Sequence, residues 1–469
     1  MSRGAARVVA SIVGVVAIAV AVLPAAVAGA TTAAVTNCNG SGAGSLPAVV
    51  GSAAAGTTVT FSVSCSGTKP IVLSQPVSIT GDISIAGPGA RSMVVSGGGT
   101  TDVFDVAGGA TAAISGLTVE NGGDNYDGGG IYNNGTLTVD DVTLSGNSTG
   151  IGIGGAISNV GGTLTVSDSS LFGDNTLDLG GGIFNDVEST ATVSDSTLWS
   201  DSADGGGGIY NEGTMVINDS TLSSNSAGTD DGGGILNEGT LDVVASTFSG
   251  NAAEDGAGIF NGASATVAAS VVATSYGSAD CGGTITDAGY NLDDDGSCGF
   301  SAVNHSQSDV DADLASLADN GGPTPTQAPA AGSPLLDRIP AGATADGVTL
   351  CPGTDQRGVA RPQGPACDIG AVELTSTPEA ITSADSASTP AGAGFSFTVT
   401  TSGIPIPTIS ETGRLPRQLS FTDNGKGTAT LSGIPGRRGV HHLTITATFG
   451  AGTSAPVLTQ AFTLTVTKH

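Results

Sequence analysis

Carboxylates are the most abundant groups in this sequence that could do chemistry, because 42 Asp and Glu residues stand against 13 Lys and Arg and four His. Two carboxyl groups on one face are enough for a glycosidase. Asp127, Asp231 and Asp255 precede a repeated glycine motif at the same position, but apolar residues or glycine hold that position in the three copies between them. Separate turn acids explain this pattern more simply than a catalytic pair. The sequence therefore assigns no catalytic residue.

Basic residues are missing from most of the chain. No Lys or Arg lies between Arg91 and Arg338, and the first histidine is His305. A lyase or hydrolase that depends on a basic residue or a histidine therefore has no candidate group in this stretch.

Calcium is the metal that the acids could suit, since hard cations prefer oxygen ligands. Two segments are rich in such oxygens, Asp293–Asp295 and Asp309–Asp313. Neither continues into an EF-hand loop, so solvated loop acids are the favoured interpretation and calcium remains an open alternative. Zinc is not predicted, because the chain has no C-x-x-C pair and few histidines. We expect no cofactor.

The first thirty residues have the pattern of an export signal. Arg3 and Arg7 precede an apolar run over 8–23, and small residues follow Pro24. Its removal changes the net charge from −29 to −31. Such an acidic surface repels nucleic acid and anionic lipid. The sequence therefore predicts a secreted protein, extracellular or loosely attached to the cell surface, that does not insert into a membrane once the signal is removed.

Six cysteines in an exported chain predict disulfides. Fifteen pairings are possible, and proximity in sequence favours three local couples, which remain a hypothesis at this point. The couples are Cys38 with Cys65, Cys281 with Cys298, and Cys351 with Cys367.

A glycine-rich repeat organises the middle of the chain. The motif Gly-Gly-Gly-Ile-Tyr-Asn over 128–133 returns with its isoleucine spaced by 26 residues four times and then by 24. Each unit holds three short β-branched stretches bounded by Gly, Asn, Asp or Ser, too short for helices. This pattern predicts a right-handed parallel β-helix with three short strands per coil.

Stacking of coils gives the recurring residues their expected roles. The isoleucines are expected to form an internal column, and the asparagines a structural ladder rather than a carbohydrate-contacting row. The ladder residues are Asn133, Asn159, Asn185, Asn211, Asn237 and Asn261. Aromatic residues follow several of the isoleucines, and whether they face a ligand stays open at this stage. They are Tyr132, Phe184, Tyr210 and Phe260.

The rest of the chain divides around this repeat. We expect an N-terminal cap with irregular coils over 31–100, regular coils over 101–275, a closing region over 276–375 and a sandwich domain over 376–469. Alternating stretches such as 395–400 and 462–466, with a hairpin at Asn424-Gly425, predict an immunoglobulin-like β-sandwich after the β-helix.

Several motifs resemble known bacterial families. The segment 35–38 with 44–46 resembles the entry of secreted pectin-lyase-like β-helices, and the repeats are similar to those of polymorphic outer-membrane and adhesin-type proteins. Residues 317–326, 333–337, 355–358 and 367–373 resemble the closing domain called choice-of-anchor Q. The C-terminal module resembles immunoglobulin-like domains of bacterial surface proteins. No apolar tail follows to suggest a sorting anchor.

The resemblance implies a surface role, and the missing basic residues argue against the usual enzymes of this fold. The sequence thus favours a secreted or cell-surface protein that acts in adhesion or glycan binding without catalysis, with an extracellular polysaccharide or a surface protein as partner. The alternative is a polysaccharide-active enzyme that uses coil carboxylates. Neither the ligand nor the oligomeric state is predicted.

Overall fold

The fold is described from a computed structural model, which covers residues 31–124, 128–273, 279–345, 347–374, 380–403, 407–425, 427–449 and 457–468. The proposed export signal over 1–30 and Asp127 lie outside these residues. No helix in the described ranges is long and apolar enough to cross a membrane.

A parallel β-solenoid of about nine turns occupies the chain from Thr32 to Asp293. Its strands stack into four sheets, which the chain visits in the order A, B, C, D within each complete coil. Sheet A has eleven strands: Thr32–Val35, Thr57–Phe61, Ile83–Ala86, Thr111–Ser115, Thr136–Asp140, Thr163–Ser167, Thr190–Ser194, Thr214–Asn218, Thr240–Val244, Ser264–Ala268 and Thr286–Asp287.

Sheets B and D form the other two long faces. Sheet B consists of Ile71–Val72, Val94–Ser96, Thr118–Glu120, Thr143–Ser145, Ser170–Phe172, Thr197–Trp199, Thr221–Ser223, Thr247–Ser249, Val271–Ala273 and Leu292–Asp293. Sheet D consists of Val77–Ile79, Phe104–Val106, Ile131–Asn133, Ile157–Asn159, Ile183–Asn185, Ile209–Asn211, Ile235–Asn237, Ile259–Asn261 and Cys281–Gly283. The three predicted strands of each coil are therefore present.

A fourth, two-residue strand was not predicted. Sheet C holds Gly123–Asp124, Ser148–Thr149, Asn175–Thr176, Ser202–Ala203 and Ser226–Ala227. Because these stretches are short and polar, they read in the sequence as turns rather than as strands. The fold class is nevertheless the predicted one, an all-β solenoid with a sandwich-like module after it.

Hydrophobic columns fill the solenoid. The repeat isoleucines pair directly with one another in sheet D, and Ile131, Ile157, Ile183 and Ile209 are fully buried. Sheet A alternates in the same way, since Leu137 and Val139 are buried while the intervening threonines face outward. The helix Leu46–Ser52, which begins after the N-cap Ser45, packs Leu46 and Val50 against the first coils.

Polar ladders run along the corners of the solenoid. In the amide ladder between sheets D and A, each asparagine Nδ2 donates to the next asparagine Oδ1 over 2.6–2.8 Å, from Asn133 to Asn261. In the mixed ladder after sheet B, the backbone N–H of one rung donates to the side-chain oxygen of the next. Its rungs are Asn147, Asp174, Asp201, Asn225 and Asn251.

A segment without long strands follows the solenoid. It contains the 3₁₀ helix Ala302–Asn304 and the hairpin Thr344–Ala345 with Val348–Thr349. Residues 315–373 of this stretch are called the closing segment below. They fold back along sheet B, and their apolar side chains, such as Leu335, Ile339 and Ile369, pack against the last coils.

The C-terminal module is made of two four-stranded sheets. One contains Ala380–Ile381, Phe395–Ser402, Leu419–Asp423 and Thr428–Gly433; the other contains Ser386–Pro390, Pro407–Gly413, Gly439–Phe449 and Val457–Thr467. Buried residues such as Val399, Leu431, Ile445 and Phe462 fill the space between the sheets. This arrangement fits an immunoglobulin-like domain.

Candidate functional site

A column of turn residues links sheet A to sheet B. In the regular coils, the residue directly after the sheet A strand adopts the left-handed backbone conformation, with φ of 51°, 48°, 50° and 42° at Asp141, Asp168, Asp195 and Asp219. Aspartate is one of the few residues with a Cβ that adopts this conformation readily. The fold therefore places four carboxylates in one row, one on each of four successive coils, about 4.8 Å apart.

The row changes character towards the C-terminal end. Its next two members are Ala245 and Ala269, which are fully buried and pack with Leu335, Ile339 and Ile369 of the closing segment. A charged side chain there would lie in an apolar contact. The change from aspartate to alanine therefore marks where the closing segment covers the corner most completely.

Gln356 fastens the closing segment to sheet B. Its Nε2 donates to the Ser196 carbonyl over 3.0 Å and to Thr197 Oγ1 over 2.7 Å, while its Oε1 accepts from Thr221 Oγ1 over 2.6 Å. One buried side chain thus bonds to two successive coils. Further along, the Ala371 N–H donates to Thr247 Oγ1 over 3.0 Å.

Arg361 lies at the covered end of the carboxylate row. It lies 3.5 Å from Asp219 and 3.7 Å from Glu373, and also donates to the carbonyls of Asp368 and Gly370. Burial raises the pKa of Asp219 well above its ordinary value, although the guanidinium opposes this rise. Burial raises the pKa of Asp195 to about 7, with a further increase from Asp168.

A groove opens beside sheet B at the edge of the closing segment, next to Pro323. It has a volume of about 410 Å³ and lies between the loop around Arg91, the acids Asp141 and Asp168, and Pro323 of the closing segment. This volume is within the range of small-molecule sites. The Arg91 loop is held at this corner because the Gly89 N–H donates to the Gly116 carbonyl over 2.8 Å.

Two stacked aromatic rings line one side of the groove. Phe172 and Trp199 occupy the same outward position on adjacent strands of sheet B, with ring centroids 4.3 Å apart and planes inclined by 14°. Both side chains are half-buried. Large aromatic surface left open to solvent beside polar groups is typical of a binding site.

The acids of the groove are held in a partly desolvated setting. Burial and the charge of Asp140 raise the pKa of Asp141, and burial, Asp140 and Asp141 raise the pKa of Asp168. Arg91 is exposed and supplies the guanidinium that lines this groove. The groove thus combines an apolar platform with hydrogen-bond acceptors and donors at its edge.

Arg91 changes one expectation from the sequence. The chain lacks basic residues after Arg91 until Arg338, and the coils accordingly offered no basic group beside an acid. The structure brings Arg91 to the same groove as Asp141 and Asp168, which follow it by two and three coils. Stacking of coils, rather than proximity in sequence, creates this combination.

The six asparagines of the amide ladder and the six cysteines are all bonded to other groups of the chain. The six asparagines are buried, and their amides bond to one another and to backbone carbonyls such as Thr163 O, so they have no free group for a ligand at this corner. The cysteines form the disulfides Cys38–Cys65, Cys281–Cys298 and Cys351–Cys367.

The outward aromatic residues beside the isoleucines lie mainly under other side chains. Phe184 and Tyr210 stack with ring centroids 5.5 Å apart, but only 5% and 8% of their surfaces are exposed. Ile153 and Leu179 pack over them. Asp231 lies at the nearby concavity together with Glu212 and Glu238, whereas Asp255 is exposed. This column is therefore largely part of the packing.

The two oxygen-rich segments lie side by side, since the Val310 N–H donates to the Asp293 carbonyl over 3.2 Å. Asp293 is fully buried and accepts from the Cys298 N–H over 2.9 Å, in contrast to the solvated acid expected there, while Asp295 is exposed and accepts from Ser297. Within the described ranges, no three His, Cys, Asp or Glu side chains are grouped so as to hold a metal ion. Calcium binding stays the untested alternative to the expectation of no cofactor.

Sequence reasoning missed Phe172 and Trp199. The repeat itself contained the information, because Leu198-Trp199 aligns with Leu144-Ser145 and Leu171-Phe172, and period-two alternation places the second residue of each pair outside. Pro323 could not be found in this way, since it lies more than a hundred residues from the ring that it approaches.

Comparisons with protein-family models, with curated proteins and with solved structures gave no match to this chain. The parallel β-solenoid and its groove are therefore interpreted from their own geometry.

Proposed function

We propose that this protein binds a neutral extracellular polysaccharide in the groove of Trp199, without cleaving it. The observation that carries the proposal is the stacked, half-exposed pair of Phe172 and Trp199 beside Asp141, Asp168 and Arg91. The flat faces of sugar rings present C–H groups that pack on aromatic rings, while carboxylates and a guanidinium hydrogen-bond to hydroxyl groups.

Charge favours a neutral ligand for this groove. Residues 31–375 hold 38 acids and five Lys or Arg, so an anionic polymer lying along the coils would be repelled. Arg91 is the cation that lines the groove.

The setting that we propose is outside the cell, with a role in adhesion or matrix binding. Three disulfides support an oxidising compartment. The sequence resemblance to secreted pectin-lyase-like and adhesin-type proteins points in the same direction, although fold alone is weak ground for function.

The test uses the fluorescence of Trp199, which is the single tryptophan of the chain. Purified mature protein is titrated with soluble neutral oligosaccharides derived from xylan, mannan and cellulose. We expect at least one of them to shift or quench the emission in a saturable manner. A flat titration with every oligosaccharide would overturn the proposal.

Matched variants separate binding from stability. Trp199→Phe keeps an aromatic ring and should retain binding in calorimetry, whereas Trp199→Ala should weaken it by roughly tenfold or more, as expected when 1–3 kcal/mol of stacking is lost. Leu177→Ala is the control, because Leu177 is 69% exposed on a different part of the coils. Equal weakening in the control would contradict a specific role for the groove.

Hydrolysis of the bound glycan is the second candidate. Asp141 and Asp168 lie on adjacent coils, so their spacing of about 4.8 Å is close to the separation of about 5 Å found in retaining glycosidases. Their raised pKa values would suit an acid–base role.

Release of reducing ends from the same polysaccharides decides between the two. No release by wild-type protein that binds would favour pure binding. Release that is abolished by Asp141→Asn or Asp168→Asn, with binding retained, would establish the enzyme instead.

A further inference from the structure

The C-terminal module differs in charge from the rest of the molecule. Residues 376–469 hold six Lys or Arg and four acids, whereas residues 31–375 hold five basic residues and 38 acids. Five of these basic residues can be described, and they are gathered rather than dispersed. Those in the described ranges are Arg414, Arg417, Arg437, Arg438 and Lys468.

Two loops and a strand end bring these cations together. One loop, 414–418, follows the strand Pro407–Gly413, and the other, 434–438, precedes the strand Gly439–Phe449. The loops touch, since the Ile434 N–H donates to the Gln418 carbonyl over 3.3 Å. His441 Nδ1 also lies 3.3 Å from the Arg414 carbonyl.

Lys468 joins the group through strand register. Gly439 pairs with Val466 in the antiparallel ladder, so Lys468, two residues after Val466, leaves the sheet at the same end as Arg437 and Arg438, which precede Gly439. All five cationic side chains are exposed. We call these five residues the cationic tip.

The three acids of this module within the described ranges lie away from the cationic tip. Asp423 is at the far end of the strand Leu419–Asp423, where it accepts from the Ile409 N–H over 2.9 Å. Glu411 sits on the same side of its strand as the buried Ile409, and burial raises its pKa. Asp385 precedes Ser386, which pairs with Thr463, so this acid lies several residues back from Lys468 along the last strand. None of the ion pairs found in the described part of the chain involves the cationic tip.

The loops that carry the tip are constrained. Pro416 and Pro435 are both buried, and the Pro435 carbonyl accepts from the Gly392 N–H over 2.8 Å. Fixed proline φ angles reduce the entropy lost when a ligand orders the arginines. Ile434 and Val440, 52% and 58% exposed, add apolar surface beside the cations.

We infer that the cationic tip binds an acidic polysaccharide, which is distinct in chemistry from the neutral glycan of the groove. Arginine forks match carboxylate and sulfate groups with paired hydrogen bonds, and the exposed apolar side chains suit the faces of sugar rings. A single polysaccharide chain is thin enough to contact the cationic tip without also contacting the acidic coils. A bilayer or a nucleic-acid duplex instead presents a broad anionic surface, which the acidic coils would repel.

The experiment measures binding of the full mature chain to immobilised polygalacturonate, with the same support without polymer as the blank. Retention at low salt that decreases steeply as salt is added is the expected result, because an overall acidic protein can be held only through a local cationic patch. Retention no greater than on the bare support would overturn the inference.

Two charge-matched variants make the test specific. Arg437→Gln with Arg438→Gln should weaken binding by about tenfold, as expected when two of the ionic contacts are removed. Lys69→Gln with Arg338→Gln changes the net charge equally at exposed sites outside the tip and should leave binding unchanged. Equal loss in both variants would overturn the inference, because it would indicate a general effect of charge.

Other occupants give distinguishable results. Salt-sensitive self-association in sedimentation that is lost in Arg437→Gln with Arg438→Gln, without retention on polygalacturonate, would show that the tip docks on the acidic coils of a second copy and would overturn the inference. Binding to anionic vesicles without polymer retention would overturn it as well. The Trp199 titration has a separate readout, so the two proposals can fail independently.

Discussion

The amide ladder and the mixed ladder both form hydrogen bonds from coil to coil at a corner of the solenoid, but they use different side chains. Every rung of the amide ladder is an asparagine, and Asn211 Nδ2, for example, has acceptors in Asn237, Gly213 and Thr240. In the mixed ladder, Asn225 Nδ2 donates to the Leu198 carbonyl alone among the bonds described. Asn251 Nδ2 likewise donates to one carbonyl and Asn147 Nδ2 to two acceptors, so no amide of the mixed ladder makes the three bonds of Asn211.

This difference explains how two acids occupy the mixed ladder. Asp174 and Asp201 are fully buried, and their Oδ1 atoms accept the backbone N–H of the preceding rung, while neither Oδ2 has a hydrogen-bond partner. Asn147, Asn225 and Asn251 donate at the matching position to carbonyls of sheet B. A protonated Oδ2 would supply the same donor, and burial raises the pKa of both acids.

Placing an acid in the amide ladder should have the largest effect. Asn211→Asp removes a donor that has three acceptors and buries a carboxylate, so we expect the free energy of unfolding to fall by about 3 kcal/mol at pH 8. Urea denaturation followed by circular dichroism measures this, with a smaller loss expected at pH 4. A variant as stable as wild type would mean that the two ladders do not differ in this respect.

Replacing the acids of the mixed ladder should have an intermediate and opposite effect. The folded-state pKa of Asp174 and Asp201 is raised, so their contribution to stability is complete below the unfolded pKa near 4 and is lost as the pH rises through the folded value. Asp174→Asn with Asp201→Asn should therefore stabilise the protein by about 2 kcal/mol at pH 8 and by little at pH 4.

Thermal unfolding across pH 4–8 checks the sign. Wild type should lose stability over this range, and the double variant should lose less. It should keep some dependence, because burial also raises the pKa of Asp195 and Asp368 to about 7. Parallel curves for the two proteins would show that the mixed ladder is not protonated.

The smallest effect is expected in a third ladder, made of serines next to sheet B. Ser220 Oγ accepts from the Ser196 N–H over 3.3 Å and donates to the Asn218 carbonyl over 2.7 Å. Ser220→Ala should cost about 1 kcal/mol at any pH between 4 and 8, because no ionisable group is involved. A loss that varied with pH would contradict this view of the serine ladder.

The comparison also shows what the sequence can and cannot predict. The amide ladder follows from its period, because Asn133 and its equivalents recur at a fixed position after an isoleucine. The mixed ladder does not, since Asp174 and Asp201 stand in segments that read as ordinary polar turns, and a buried acid is not expected from composition. The amide ladder can be predicted from local periodicity, whereas the mixed ladder depends on burial by neighbouring coils, which the local sequence does not show.

The groove was still harder to predict. The position of Trp199 on the outside of sheet B follows from the repeat. The wall that the closing segment contributes to the groove does not, because that segment is held there by contacts such as the bond from Thr197 to the Pro325 carbonyl, 128 residues apart in the sequence. A contact between a periodic and a non-periodic segment leaves no trace in the repeat. Similarly, the cationic tip depends on two loops that lie apart in the sequence.

The attachment of Gln356 has a consequence for how such a protein can change its length. The closing segment bonds to Thr197, Thr221 and Thr247 on three successive coils, so the spacing between its own bonding groups must match the spacing between those coils. A gene duplication that added one 26-residue unit between Thr197 and Thr247 would leave these partners out of step. Units added before Ser170 would leave these three bonds in register, so we expect the N-terminal half of the solenoid to tolerate a change in length better than the half that the closing segment covers.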